Sequence, residues 1–264
     1  MFPIITLGPW QIGTYRLIYA LAFLIAGVFA YLRLQALAVP RRQIEGFVVW
    51  GVAGAGLGLV APALIETAYR LAATGRWPDH TTPVRIYYVA AGCLLACVGY
   101  AVRVGFPLRR GLDLGCPAFT LGGALARIGC LAAGCCGGKV TDAFWGMSMP
   151  DEAGVWAVRY PTQIMSGVLL GSICAALLLF TRWRARAGKA ADYPFPGFVL
   201  LLSTFLFALE RFFVEFFRAD SLPQWGPLSA VHLGMLTTMI AALALEWAGL
   251  RTAHSVRSPA TSLG

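Results

Sequence analysis

Long apolar stretches alternate along this chain with short polar connections, a pattern that predicts helices crossing a membrane. A spanning helix needs about 20 mostly apolar residues. Seven stretches approach that length, at 14–32, 47–68, 86–106, 117–131, 163–180, 197–217 and 229–250. The fourth is the shortest, is rich in glycine and carries Arg127, so it is expected to be tilted, broken or re-entrant. Irregular backbone survives at membrane depth only when it is buried in protein or lines a wet cavity. No basic residue precedes Arg16 and no small-residue cleavage pattern follows, so the first apolar stretch is expected to be retained. No internal period of 20 to 50 residues repeats, and no long polar stretch marks a second domain. The pattern therefore predicts an all-α integral membrane protein of about seven transmembrane helices. It forms a single domain over residues 1–250, with a short polar tail at 251–264.

Composition sharpens this picture. The chain is 58% hydrophobic and 12% charged, with a mean hydropathy of +0.70, well outside the range of soluble domains. Its formal charge of +9 is spread over short clusters without a basic-aromatic motif, so nucleic acid is not an expected partner. Alternate connections differ in basic residues. One set holds Arg33, Arg41, Arg42, Arg103, Arg109, Arg110, Arg182, Arg184, Arg186, Lys189, Arg251 and Arg257, and the other only Arg70, Arg76, Arg85, Lys139, Arg159 and Arg218. Twelve against six places the N-terminus outside, the C-terminus in the cytoplasm and the connection after the fourth segment outside. Trp10, Trp77, Trp145, Trp156 and Trp225 then fall near the outer interface, where aromatic belts form without any ligand.

Function has to come from the charges left inside. Arg127, Glu210, Arg211 and Glu215 lie within or at the ends of apolar segments. A charge at the bilayer centre costs at least about 2.5 to 3.5 kcal/mol, so each needs a partner, a wet cavity or an interface. Arg211, Glu215 and Arg218 follow i, i+4, i+7 spacing and share one helix face. Two readings are open: the stripe neutralises itself or snorkels, or it lines an internal site opposite Arg127. Two arginines converging in low dielectric would hold a phosphate bidentately, with Glu215 orienting one of them, which suits a phospholipid headgroup. In GCCGGK at 134–139, the glycines permit close backbone approach and Lys139 adds a cation. The spacing is not that of a nucleotide-binding P-loop.

At these residues the chain resembles the prolipoprotein diacylglyceryl transferase family. LGPWQIGTYRLIYALAFLIA at 7–26 is similar to the family's opening block, with Tyr15 at its tyrosine. LGGALARIGC at 121–130 resembles the start of the signature segment, with Arg127 at the signature arginine. GGKVTDAFWGM at 137–147 resembles a Gly-Arg, turn, Trp-Gly pattern, keeping Gly138 and placing Lys139 where arginine is usual. RYPTQ at 159–163 and FALERFFVEFFRAD at 207–220 resemble two further blocks, the second aligning Arg211, Glu215 and Arg218 with charged positions. There are also departures. CLAAGC replaces an Asn-rich stretch ending in glutamate, so Cys130 stands for an asparagine and Cys135 for the glutamate. YYVAAGCLL at 87–95 lacks the family's His-Gly-Gly, Tyr160 stands for a histidine, and Ile164, Met165 and Ser166 follow Gln163 where a glutamate is usual.

The resemblance implies transfer of a diacylglyceryl group from phosphatidylglycerol to the lipobox cysteine thiol of a prolipoprotein, at the bacterial inner membrane. It implies Arg127, Arg211 and Glu215 as catalytic residues and Tyr15, Gly138, Lys139 and Arg218 as substrate-binding ones, with no cofactor and no metal. The departures leave the thiol base unassigned, and His80 is the nearest candidate by chemistry. Rival readings are a relative acting on another lipid or thiol acceptor, and a non-catalytic lipid-binding or transport protein. Cys130, Cys135 and Cys136 admit a disulfide, a transient lipid-carrying thiol, packing, or a metal site. The metal is disfavoured because C-x4-C-C lacks two separated ligand pairs and no nearby histidine completes a set. His232 is expected to be a packed or interfacial histidine.

Overall fold

The apolar runs are helices. The computed structural model describes residues 4–7, 10–75, 86–151, 154–189 and 194–257. Within them lie α1 Thr14–Leu34, α2 Arg41–Thr74, α3 Ile86–Val104, α4 Leu108–Ala133, α5 Thr162–Arg186, α6 Phe198–Glu215 and α7 Ala230–Arg257. Among the described residues, α1, α2, α4, α5 and α7 are long and apolar enough to cross a membrane, and α3 adds the shorter apolar stretch Tyr88–Val104. Large side chains on these helices remain uncovered, such as Leu24, Leu95 and Val102, which suits lipid rather than water. The protein is a multi-pass membrane protein. His80 and Trp77 lie outside the described residues.

The fourth segment departs from expectation. It is neither short nor broken: α4 runs unbroken for 26 residues, with Pro117 inside it. A proline in a helix orphans the carbonyl four residues back, here that of Asp113. The Cys116 thiol donates to that carbonyl at 3.4 Å, and Thr120 and Cys174 donate to the carbonyl of Pro117 itself at 2.9 and 3.2 Å. Side chains thus satisfy the polar groups, and the helix continues. The end of the chain also differs, since α7 carries helix through to Arg257, into the stretch expected to be a polar tail.

Two short antiparallel hairpins accompany the helices: β1 Ile4–Leu7 with β2 Trp10–Gly13, and β3 Met147–Pro150 with β4 Trp156–Arg159. Four-residue strands are too short to register in a pattern dominated by 20-residue apolar runs.

The chain divides into two units. In Ala30–Gly111, α2 packs on α3 through small residues: Gly54 and Gly58 lie directly on the backbone of Gly92 and Tyr88, with no room for a side chain. The second unit joins Met1–Phe29 to Leu112–Gly264. Within it Cys116, Leu177 and Val199 form a buried core, surrounded by Ile173, Phe180, Phe198 and Leu206. Asp113 fixes the start of α6 from α4. Its carboxylate accepts from the backbone of Gly197 at 2.7 Å and Leu200 at 2.9 Å, satisfying donors that begin every helix unpaired. Arg184, grouped by sequence with the surface basic residues, is instead buried and acts on this carboxylate.

Candidate active site

The site is built in the second unit, where α4 ends and the chain returns toward α5 and α6. Gly134 closes α4 in a left-handed conformation, φ 74°, with its N–H on the Leu131 carbonyl at 3.3 Å. The next N–H, of Cys135, reaches back to the Cys130 carbonyl at 3.1 Å. This bond pair is the Schellman motif, which brings the residue after the glycine over the last turn of the helix. The C-x4-C spacing therefore folds Cys135 onto Cys130. Cys136 has φ 61°, the sole positive φ at a non-glycine position among the described residues. Two side chains from the start of α5 anchor this turn: Gln163 Nε2 donates to the Cys135 carbonyl and Thr162 Oγ1 to the Cys136 carbonyl, both at 2.8 Å.

Residues 137–140 then run extended between two neighbours. Lys139 N–H donates to the Phe217 carbonyl at 2.8 Å, Tyr160 N–H to the Lys139 carbonyl at 3.1 Å and Ala219 N–H to the Gly137 carbonyl at 3.1 Å. Gly138 lies against the Tyr160 carbonyl, and a β-carbon there would overlap it. Trp145, Tyr160 and Phe217 close over the strip with ring centroids 4.7 to 5.8 Å apart. Tyr160 thus acts here as packing, beside the carbonyl that admits only glycine opposite.

The charged side chains meet beneath this strip. Arg211 Nη2 lies 2.8 Å from Glu215 Oε2, and Arg218 Nε lies 3.7 Å from the same oxygen. Arg218 also forks onto Asp220 at 2.9 and 2.6 Å. Glu210, equally buried, accepts from Ser166 Oγ at 2.5 Å, while its second oxygen has no hydrogen-bond partner among the described residues. The charges of Arg127, Arg211 and Arg218 all act on that carboxylate. Arg127 is held on the α5 side by Gly167, whose hydrogen faces its Cβ where a methyl group would sit 3.4 Å away.

A sulfur cluster adjoins the charges. Among the described residues, the Sγ atoms of Cys130, Cys135 and Cys136 lie within 4.8 Å of one another. All seven cysteines are free thiols. Hydrogen bonds from Cys130 and Cys135, with the Arg218 guanidinium beside them, lower the pKa of the Cys136 thiol. Burial opposes the charge of Arg218, but Asp220 and Cys136 outweigh it and leave its pKa raised. From α1, Tyr19 OH lies 3.9 Å from Cys130 Sγ, and Tyr15 hydrogen-bonds Tyr19, the two rings tilted at 34° with centroids 4.3 Å apart.

Comparison with known proteins bears on what this assembly is. The family model described as prolipoprotein diacylglyceryl transferase matches residues 3–248. The chain belongs to the prolipoprotein diacylglyceryl transferase family. The phosphatidylglycerol–prolipoprotein diacylglyceryl transferase of Rhizobium leguminosarum bv. trifolii is 28% identical over 93% of this chain and 89% of its own length. That of Gloeobacter violaceus is 27% identical over 92% and 93%. A second Clostridium perfringens enzyme of that name is 33% identical over 50% of this chain and 49% of its own.

Within this transferase family member, Glu215 brings Arg211 and Arg218 together, the charge of Arg127 reaches the neighbouring Glu210, and Tyr15 adjoins Tyr19, which lies against Cys130. Lys139 does not point inward: it is exposed, and its Nζ donates to the Phe216 carbonyl at 3.0 Å, capping the end of α6. Sequence reasoning passed over Ser166, Tyr19, Thr162, Gln163 and Asp220, and assigned no role to Glu210. One signal was available: Glu210 is a charge in an apolar helix, and such a charge requires a partner. The missing family glutamate after Gln163 is matched here by Ser166, which meets a carboxylate arriving from α6. His232 is packed as expected, buried against Phe216 and Phe212, with its Nδ1 accepting from the Ser229 N–H at 3.0 Å.

Proposed function

We infer that the protein transfers a diacylglyceryl group from phosphatidylglycerol to the lipobox cysteine thiol of a prolipoprotein, as the names of its family and relatives describe. The observation that carries the reading is the buried cluster in which Glu215 meets Arg211 at 2.8 Å and Arg218 at 3.7 Å, next to Glu210, on which the charge of Arg127 from α4 also acts. The reaction is displacement at a glyceryl carbon with a phosphate ester as leaving group. Negative charge grows on the phosphate as the C–O bond breaks, and prearranged cations in low dielectric stabilise it most effectively.

Arg127 and Arg211 hold the phosphate, and Glu215 fixes the plane of the Arg211 guanidinium. Arg218, engaged by Asp220 and Cys136, supports the pair from the end of α6 and contributes positive potential. Tyr15 offers a hydroxyl to the glycerol headgroup, and Gly138 keeps the 137–140 strip close to Tyr160. The seven helices cross the bacterial inner membrane with the N-terminus outside and the C-terminus in the cytoplasm. The site then opens toward the outer leaflet, where exported prolipoproteins present their signal peptides.

Complementation of a conditional strain lacking its own transferase tests this reading, with thioether lipid on a reporter prolipoprotein as readout. Lipidation and growth are the expected result. A correctly inserted protein that leaves the reporter unlipidated would overturn the assignment.

A further inference from the structure

The three sulfurs need an account that the arginines do not supply. They come from a helix end and the turn after it, and their convergence is specified by several independent contacts. The Schellman motif returns Cys135 onto Cys130, Cys136 adopts a left-handed backbone that non-glycine residues avoid, and Gln163 and Thr162 hold the carbonyls of the two turn cysteines from outside. Cys130 is buried, with 2% of its surface exposed.

We propose that Cys130, Cys135 and Cys136 bind a zinc ion through three sulfurs, leaving its fourth position for the thiol of the incoming substrate cysteine. The geometry is close to what zinc needs. With Zn–S near 2.3 Å and tetrahedral angles, the sulfurs of such a site stand about 3.8 Å apart, and here they already lie within 4.8 Å of one another. Soft thiolate donors favour zinc over hard cations, and zinc performs no redox chemistry of its own. Three thiolates around a divalent ion carry one net negative charge. Arg218, whose guanidinium hydrogen-bonds Cys136, and Arg127, whose charge acts on Cys130, place positive potential beside it. The C-x4-C-C spacing fails as a closed four-ligand site. It suffices for an open one, because catalytic zinc sites use three protein ligands and keep one position for water or substrate.

The activating role rests on the transferase reading above, whereas zinc binding does not. Coordination to zinc deprotonates a thiol outright, which answers the need left by the missing family histidine and glutamate. The bound thiolate donates a sulfur lone pair to form the S–C bond at the glyceryl carbon. The C–O bond to phosphate breaks with its electron pair on oxygen, and the thiol proton ends on the released glycerol phosphate.

The test uses the full-length protein in detergent, treated with zinc chloride, freed of excess metal and measured by mass spectrometry. About one zinc per chain is expected, falling to background when Cys130, Cys135 and Cys136 are all replaced by serine and unchanged in Cys93→Ser. Cobalt chloride in place of zinc should give a sulfur-to-cobalt charge-transfer band with wild type and none with the triple variant. Circular dichroism and thermal melting establish that the triple variant is folded; if it is not, the band in wild type and its loss on alkylating the three thiols decide the matter. Diacylglyceryl transfer to a lipobox peptide should fall at least tenfold on chelation and return with zinc. Absence of bound metal, or a disulfide among the three cysteines in the active protein, would overturn the site. Bound zinc with transfer indifferent to its removal would overturn the activating role. Bound zinc with no transfer under any condition would defeat the proposed function and the activating role, and leave the metal site standing.

Discussion

Glu215 serves two guanidinium groups with one oxygen, at 2.8 Å from Arg211 and 3.7 Å from Arg218, so its loss costs Arg211 its ion pair inside the protein while Arg218 keeps Asp220. The arginines themselves are the more sensitive positions for chemistry. Replacing Arg127 or Arg211 by alanine removes a preformed partner for charge that grows only as the C–O bond breaks. Transfer should fall by about 10² to 10³-fold, the scale of losing one such group. The check is the turnover of a lipobox peptide by purified variants whose melting temperatures show them folded; wild-type turnover in either would remove that residue from the site. Glu215→Gln keeps the shape and removes the charge, and should give a loss smaller than that of Arg211→Ala. Gly138 tests packing rather than chemistry. A methyl group there meets the Tyr160 carbonyl, so Gly138→Ala must displace the 137–140 strip from Tyr160. Overpacking of this kind costs about 1 to 3 kcal/mol, which should appear as a lowered melting temperature together with lost activity.

Among elements, α6 carries most of the site and depends on a residue far from it. Asp113 supplies the carboxylate that its first turn lacks, from a helix 84 positions earlier in the chain for the Gly197 bond. Asp113→Ala should cost about 2 kcal/mol, at the upper end for a lost helix cap because the donors it leaves are buried. A melting temperature unchanged in the variant would show that other groups cap α6. That contact also marks the limit of sequence reading. The pairing of Arg211 with Glu215 was legible because it follows the helical period, and Arg127 because membrane charges need partners, but α6 ends at Glu215 and Arg218 lies past it, bridged to Gly138 instead of continuing the helix face. Asp113 lies beside a basic run, Arg109 and Arg110, where an acidic residue looks like ordinary surface. The continuity of α4 was hidden for a similar reason. Proline and glycine argue locally for a break, and only the tertiary partners of the freed carbonyls, Cys116 and Cys174, restore the helix. The convergence of the cysteines could have been anticipated from Gly134, since a glycine after an apolar run predicts the Schellman return that joins C3 to C″.

For the whole molecule, the question is which side of the membrane the sulfur and arginine cluster faces, since that decides which leaflet and which proteins it can meet. Basic residues divide twelve to six between alternate connections, and acidic residues contribute little to orientation. Some of those arginines are committed to internal partners. Setting aside the buried Arg184 on one side and Arg159 and Arg218 on the other leaves eleven against four, so the asymmetry does not depend on structural arginines. On the orientation proposed above, with the α3–α4 connection and its Arg103, Arg109 and Arg110 in the cytoplasm, one passage of α4 would carry Cys135, Cys136 and Lys139 to the outside. Reporter fusions check this directly: green fluorescent protein fused after Arg110 should fluoresce, and alkaline phosphatase fused after Asp151 should be active. A second measurement uses a placed thiol, because a membrane-impermeant maleimide added to intact cells should label Val140→Cys, at an exposed position, more readily than Cys116, which is buried within α4. Phosphatase activity after Arg110 and fluorescence after Asp151 would invert the topology. The site would then face the cytoplasm, away from the side on which exported prolipoproteins emerge.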